Sequence, residues 1–210
     1  MVQYTNIHSE ALKLLQKDQI LHPLLSQCQP VIHSGSGQVL EYLVRSVISQ
    51  QLSTAAAKTI YNRFLQLVRD DLPLEHQLTE IPEEDLRHAG ISSSKSRYLR
   101  EAANHFQQRE LTCADWQHLS DNDIFELLLP IPGVGRWTVE MVLIFCLNRE
   151  DVFPIDDLVI RQQIISLYQI HETGKFLRQR LESIGENWRP YRTFACRYLW
   201  AWNDESRKNK

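Results

Sequence analysis

The 210-residue chain is 43% hydrophobic and 23% charged, the composition of a folded globular protein and not of a disordered or fibrous one. Its formal charge of −3 argues against a protein that coats nucleic acid, while leaving room for a small basic face on an acidic body. It has no apolar run long enough to span a bilayer. The opening Met1-Val2-Gln3-Tyr4-Thr5-Asn6 lacks the basic start and apolar stretch of a secretory leader, so the expectation is an intracellular protein.

The pattern is helical throughout, and convincing period-two strands are absent. Residues 8–21 read as an amphipathic helix, and Gly35-Ser36-Gly37 as a turn. Over 38–49, Val39, Leu40, Leu43 and Val47 recur at spacings of three and four, which is helical. Ser53 is placed to cap a helix that runs through Ala55-Ala56-Ala57 to Val68. Pro82-Glu83-Glu84-Asp85 has the proline and the acids of a helix first turn, with Gly90 as its stop. Further helices are expected at 95–108, 121–129 (ending before Pro130), 135–147, 157–168, 173–184 and 191–203. That makes about ten short helices, an all-α fold with no long linker or repeat.

Cys28, Cys113, Cys146 and Cys196 are widely separated, so no local zinc or iron–sulfur site is written. Cys146 lies in an apolar run and reads as core. Acids gather at Asp70-Asp71, Glu83 to Asp85 and Asp121 to Asp123, bases at Lys95 to Arg100 and between Arg178 and Arg197. Charge alone reads this as a solvated surface.

Leu129-Pro130-Ile131-Pro132-Gly133-Val134-Gly135 separates two helices. The prolines end the first, and the glycines permit positive φ and a close backbone approach. The unpaired N–H groups that open the next helix suit a phosphate oxygen. By spacing alone, a G-x-G here is also an ordinary turn between helices. The apolar stripe Val139, Val142, Leu143 and Cys146 that follows is packing.

Leu129 to Thr138, an apolar helix and then Asp151-Val152-Phe153-Pro154-Ile155-Asp156-Asp157 together resemble the signature of the helix-hairpin-helix DNA glycosylases, nearest to their 3-methyladenine glycosylase II branch. Val44 to Ser53 resembles the family's first loop, and Asn187 to Thr193 with Tyr198-Leu199-Trp200 its C-terminal helix. The resemblance implies one two-lobed helical glycosylase domain over 1–210, with the hairpin motif at about 121–147, and without the N-terminal β-domain of some relatives. It further implies a monofunctional enzyme that excises alkylated purines (3-methyladenine, 7-methylguanine and related bases) from double-stranded DNA in base excision repair. Such an enzyme requires no cofactor and is expected to be a monomer, in the cytoplasm of a bacterium or the nucleus of a eukaryote.

Residue by residue, the resemblance places the catalytic carboxylate at Asp157, with Asp156 as runner-up and helix cap. By residue type alone the pair is a cap and a first-turn acid. The chemistry asks for such a group, because breaking the C1′–N bond develops cationic charge on the sugar, which a fixed carboxylate stabilises. Trp137 and Trp200 fall at positions that stack an extruded base, whereas Tyr198 and Trp202 read as core. Gln50, Gln51 and Leu52 form the loop that fills the vacated stack, Gln51 and Leu52 both being candidates for the wedge. Gly133, Val134, Gly135 and Arg136 contact DNA. A monovalent cation held by the backbone of Leu129, Ile131 and Val134 is implied at the hairpin. A non-catalytic hairpin module would need neither the carboxylate nor the aromatic pocket. A bifunctional glycosylase/lyase acting on oxidised bases needs a lysine amine, and Trp137 occupies the family's lyase position. Lys58 and Lys95 are the lysines near these segments, and neither lies in a motif expected to desolvate it.

Overall fold

The computed structural model describes residues 2–30 and 35–208. Among them are twelve α-helices and no strand. They fall into two compact units: the stretches before Gly35 and after Leu147 form one, and Gly35–Leu147 the other.

The first unit opens with α1 (Val2–Leu15) and α2 (His22–Gln27). The helix expected over 8–21 therefore ends early, at Leu15, and the next begins only at His22. The chain turns between them because Asp18 Oδ1 accepts the N–H groups of Ile20 at 3.0 Å and Leu21 at 3.1 Å, diverting the backbone from its helical partners.

The second unit begins with α3 (Val39–Ser49), whose apolar face is buried from Val39 to Ile48. Ser53 caps α4 (Thr54–Leu65) by accepting the Ala56 N–H at 3.3 Å, and this helix stops short of Val68. Next is α5 (Leu74–Glu80), which the sequence pattern did not announce, then α6 (Glu83–His88). Ser92 caps α7 (Ser93–Gln108), which buries Leu99, Ala102, Ala103 and Phe106 and packs on α3 and α5. A capping box of Ser120 and Asp123 starts α8 (Asp121–Leu128), satisfying two N–H groups of its first turn. The helix after the hairpin is α9 (Arg136–Met141), which widens into a π-helical turn over Val142–Cys146. Cys146 is buried there, and burial pushes its thiol pKa up, in keeping with a core residue.

The chain then returns to the first unit with α10 (Leu158–Leu167), α11 (Gly174–Glu186) and α12 (Arg192–Lys208). Their core joins Ala11, Leu15 and Leu24 to Ile160, Ile164, Leu181, Trp188 and Leu199. Each buried leucine or isoleucine there contributes about 1.5–3 kcal/mol of transfer free energy. Trp188 is fully buried and donates its Nε1–H to Asp18 Oδ2 at 3.0 Å, and Tyr168 hydrogen-bonds the same oxygen. Asp18 thus joins the α1–α2 turn to the last three helices. No helix among the described residues is long and apolar enough to cross a membrane.

Candidate functional site

The expected residues fall into two groups, one in each unit. In the second unit the hairpin forms because α8 cannot continue through Pro130, which lacks an N–H. The turn closes with Val134 N–H donating to Ile131 O at 3.0 Å. Gly133 sits at φ +83, and a Cβ there would lie 3.0 Å from the Tyr98 ring, so both backbone and space require glycine. Gly135 departs from the expectation of positive φ. It is extended at φ −96, ψ 172 as the N-cap of α9, a conformation open to any residue. Beyond its chain neighbours, no atom of the described residues would lie within 4 Å of a Cβ at Gly135. The bare backbone at this helix start therefore serves no internal packing.

Arg136 follows, with Nε 3.2 Å from Oε1 of the buried Glu140 and its guanidinium 4.7 Å from the Phe125 ring centroid. Trp137, in the first turn of α9, is 46% exposed, which removes it from the core.

The loop after α3 adjoins the hairpin. Gln50 Nε2 donates to Gly133 O at 3.4 Å. Gln51 has left-handed backbone at φ 59, unfavourable for a residue that carries a Cβ, and Leu52 is 39% exposed. Beneath the loop, Lys95 Nζ from α7 donates to Ile48 O and Gln50 O, both at 2.8 Å. Lys95 corrects the sequence expectation: it is partly desolvated, and burial lowers its pKa.

The first unit holds the carboxylates. Asp157, not Asp156, is the N-cap of α10. Its Oδ1 accepts the Ile160 N–H at 2.9 Å and the Trp200 Nε1–H at 3.2 Å. The side chain is buried, with 8% of the residue exposed. Asp156 points to solvent and pairs with Arg178 at 2.9 Å, both about half exposed. The cap assignment made from the sequence is thereby reversed, because the turn before α10 directs Asp157, and not its neighbour, at the Ile160 N–H. Trp200 is partly buried, its indole fixed by the carboxylate, while Tyr198 is core and Trp202 packs at the core margin.

The segment leading to Asp157 is stitched to the start of α12, which carries Trp200. Thr193 Oγ1 accepts the Val152 N–H at 3.0 Å and donates to Arg149 O at 2.7 Å, and Thr193 N–H donates to Glu150 O at 3.0 Å. Asp151 holds Arg192 through Nε at 2.6 Å and Arg189 through a terminal nitrogen at 2.6 Å. Sequence reasoning missed these anchors, since partners some 40 residues apart leave no local pattern. The four cysteines are free thiols. No cluster of His, Cys, Asp and Glu able to hold a metal ion occurs among the described residues.

The family model of the HhH-GPD superfamily of base excision DNA repair proteins matches residues 44–190. That stretch contains the loop, the hairpin and both aspartates; Trp200 lies beyond it. A DNA-3-methyladenine glycosylase of Schizosaccharomyces pombe is 37% identical over 76% of this chain and 70% of its own length. The fold is similar to the solved structure of the S. pombe 3-methyladenine DNA glycosylase in complex with abasic DNA, with a TM-score of 0.74, 32% identity, and coverage of 91% of this chain and 95% of that one. It is also similar to a DNA-3-methyladenine glycosidase from Bacillus halodurans, with a TM-score of 0.75, 32% identity, and coverage of 89% and 85%.

Proposed function

Because this chain belongs to the HhH-GPD superfamily of base excision DNA repair proteins, we propose that it is a monofunctional DNA glycosylase that hydrolyses the N-glycosidic bond of alkylated purines in duplex DNA. The observation that carries this reading is Asp157, a buried carboxylate held in place by a backbone N–H and the Trp200 indole. In the reaction the C1′–N bond breaks and its electron pair leaves with the purine, neutralising the positive charge of a cationic alkylated base. Asp157 faces the cationic charge that grows on the sugar. Water adds at C1′ and gives up a proton, leaving an intact strand with an abasic site.

The exposed Trp137 offers a π-face to an electron-poor base, an interaction worth about 0.5–2 kcal/mol beyond burial. Trp200 is read as a second base-stacking residue, and its indole N–H also orients the carboxylate. Gln50, Gln51 and Leu52 fill the gap left by the extruded nucleotide. Gly133, Val134 and Gly135, with Arg136, anchor a phosphate at the start of α9. The open space beside Gly135 supports that role. No cofactor is needed for hydrolysis. The carbonyls of Leu129, Ile131 and Val134 are hard oxygen donors of the kind alkali cations favour. Leu129 is the C-cap of α8 and Ile131 and Val134 belong to the turn that follows it; these carbonyls would hold a monovalent cation, which would supply positive charge for a DNA phosphate. The protein is read as a monomer acting where the cell keeps its DNA, in a bacterial cytoplasm or a eukaryotic nucleus.

The test is chromatography of bases released from methylated DNA. Free 3-methyladenine and 7-methylguanine are expected, with strands that break only after heat or alkali. Borohydride trapping of a protein–DNA adduct would refute the monofunctional mechanism, and Lys95 would be the first lysine to replace. Absence of any released base would refute the glycosylase reading itself.

A further inference from the structure

Lys95 has a geometry that neither the hairpin nor the carboxylate accounts for. The last carbonyls of a helix lack partners within it, and the C-terminus of α3 is resolved in an unusual way. The Gln50 N–H returns to Ser46 O and Val47 O, and the Leu52 N–H to Ser49 O at 3.2 Å. Ile48 O and Gln50 O instead receive the ammonium of Lys95, each at 2.8 Å. The two carbonyls lie just before Gln51, whose backbone is left-handed at φ 59. A cation suits this place because it meets the negative end of the α3 dipole. Lys95 is itself fixed: its own N–H donates to Ser92 Oγ, the cap of α7, at 3.4 Å. From the other side, Gln50 Nε2 ties the loop to Gly133 O.

We propose that Lys95 is a positioning residue for nucleotide extrusion, its ammonium clamping the Ile48 and Gln50 carbonyls so that the strained loop presents Gln51 and Leu52 to the DNA stack. The inference rests on the reading of this loop as the wedge. A clamp on the wedge acts on the step that breaks a base pair and holds the gap open, and not on the cleavage of the C1′–N bond. Its loss therefore matters in proportion to how firmly the target base is paired. A residue needed only for general stability has no such dependence.

The experiment compares two duplexes, one with 7-methylguanine opposite cytosine and one with 7-methylguanine opposite a tetrahydrofuran abasic analogue, where no pair has to be broken. Single-turnover base release is measured for the wild type, Lys95→Met, Lys95→Arg, and the double variant Gln51→Ala/Leu52→Ala. Lys95→Met keeps the stem and removes the charge, and release from the paired lesion is expected to fall about tenfold or more. Release from the unpaired lesion is expected to stay within about twofold of wild type, and Lys95→Arg to recover part of the paired rate. Equal losses on the two substrates, or no loss on the paired one, overturn the proposal. If the double variant shows the paired-lesion defect and Lys95→Met does not, the clamp fails while the wedge stands. If the double variant shows no paired-lesion defect, the wedge reading fails and the clamp falls with it. Should Lys95→Met not fold, Lys95→Gln, which keeps a neutral N–H donor, carries the same comparison.

Discussion

Asp157→Asn separates chemistry from structure at one atom. Asparagine and aspartate are equally good N-caps, and the amide oxygen can accept both the Ile160 N–H and the Trp200 indole N–H that Asp157 Oδ1 accepts now. Stability should therefore stay within about 0.5 kcal/mol of wild type. What is lost is the negative charge facing the sugar, and excision should fall on the order of a hundredfold or more, about 2.7 kcal/mol of barrier. Asp157→Ala makes the contrast. It removes the cap, about 0.5–2 kcal/mol, and takes the acceptor from a partly buried indole N–H, about 1–3 kcal/mol. The melting temperature should fall by about 3–20 °C for a chain of this size. Asp156→Asn breaks only a half-exposed pair with Arg178, worth about 0–1 kcal/mol, and should excise normally. The assay is single-turnover base release from methylated duplex, run beside thermal melting and binding to a duplex with an abasic analogue. If Asp157→Asn releases base within about threefold of wild type while Asp156→Asn is inactive and folded, the assignment of the carboxylate is wrong by one residue.

Gly135→Val is accommodated by the fold, since no described residue beyond its chain neighbours would lie within 4 Å of its Cβ and the extended backbone suits a β-branched residue. It should lower melting by no more than about 2–8 °C, valine being a poorer N-cap than glycine, yet weaken binding to damaged and undamaged duplex alike, on the order of tenfold in gel shift or anisotropy; a loss confined to damaged DNA would move this turn from the phosphate to the base pocket. At Asp18, burial alone would raise the carboxyl pKa, but the donors from Tyr168, Trp188, Leu21 and Ile20 hold it below the ordinary carboxylate value. A depressed folded pKa gives stability that is present above the unfolded value near about 3.9 and is lost as pH falls through the folded value. Asp18→Asn should thus melt lower at pH 7, with the two melting curves converging in acid; a gap that stays constant down to pH 2.5 would show that the charge of Asp18 contributes nothing.

The helical periodicity made most of this fold readable, and the departures have local causes. The pattern over 8–21 runs on without a proline or glycine, so it reads as one helix. The break comes from the Asp18 carboxylate, which accepts the N–H groups of Ile20 and Leu21 and also serves Trp188, distant in sequence. The helix Leu74–Glu80 was missed because it is short, lacks a side-chain cap and is held by tertiary bonds. Its buried Gln77 donates to Arg69 O at 2.8 Å and Leu72 O at 2.7 Å, and accepts the Arg69 N–H at 2.7 Å. The role of Lys95 is illegible in the sequence for a related reason: nothing in Ser92-Ser93-Ser94-Lys95 reveals that its partners are carbonyls at the end of another helix.

The aspartate pair shows what residue type can and cannot decide. From the sequence, capping and catalysis look like competing roles to be shared between Asp156 and Asp157, and the cap falls to Asp156. In the structure the two roles converge on Asp157. Stabilising a developing cation requires a carboxylate that does not reorganise when the charge appears. An N-cap bond to Ile160 fixes the side chain from one side and the Trp200 indole from another, while Thr193 and Asp151 hold the approaching segment against α12. The start of α10 adds the positive end of its dipole beside the carboxylate. A solvent-facing acid such as Asp156, already paired with the half-exposed Arg178, offers none of this. The cap geometry that argues for a structural role at Asp157 is therefore the feature that equips it for the chemical one.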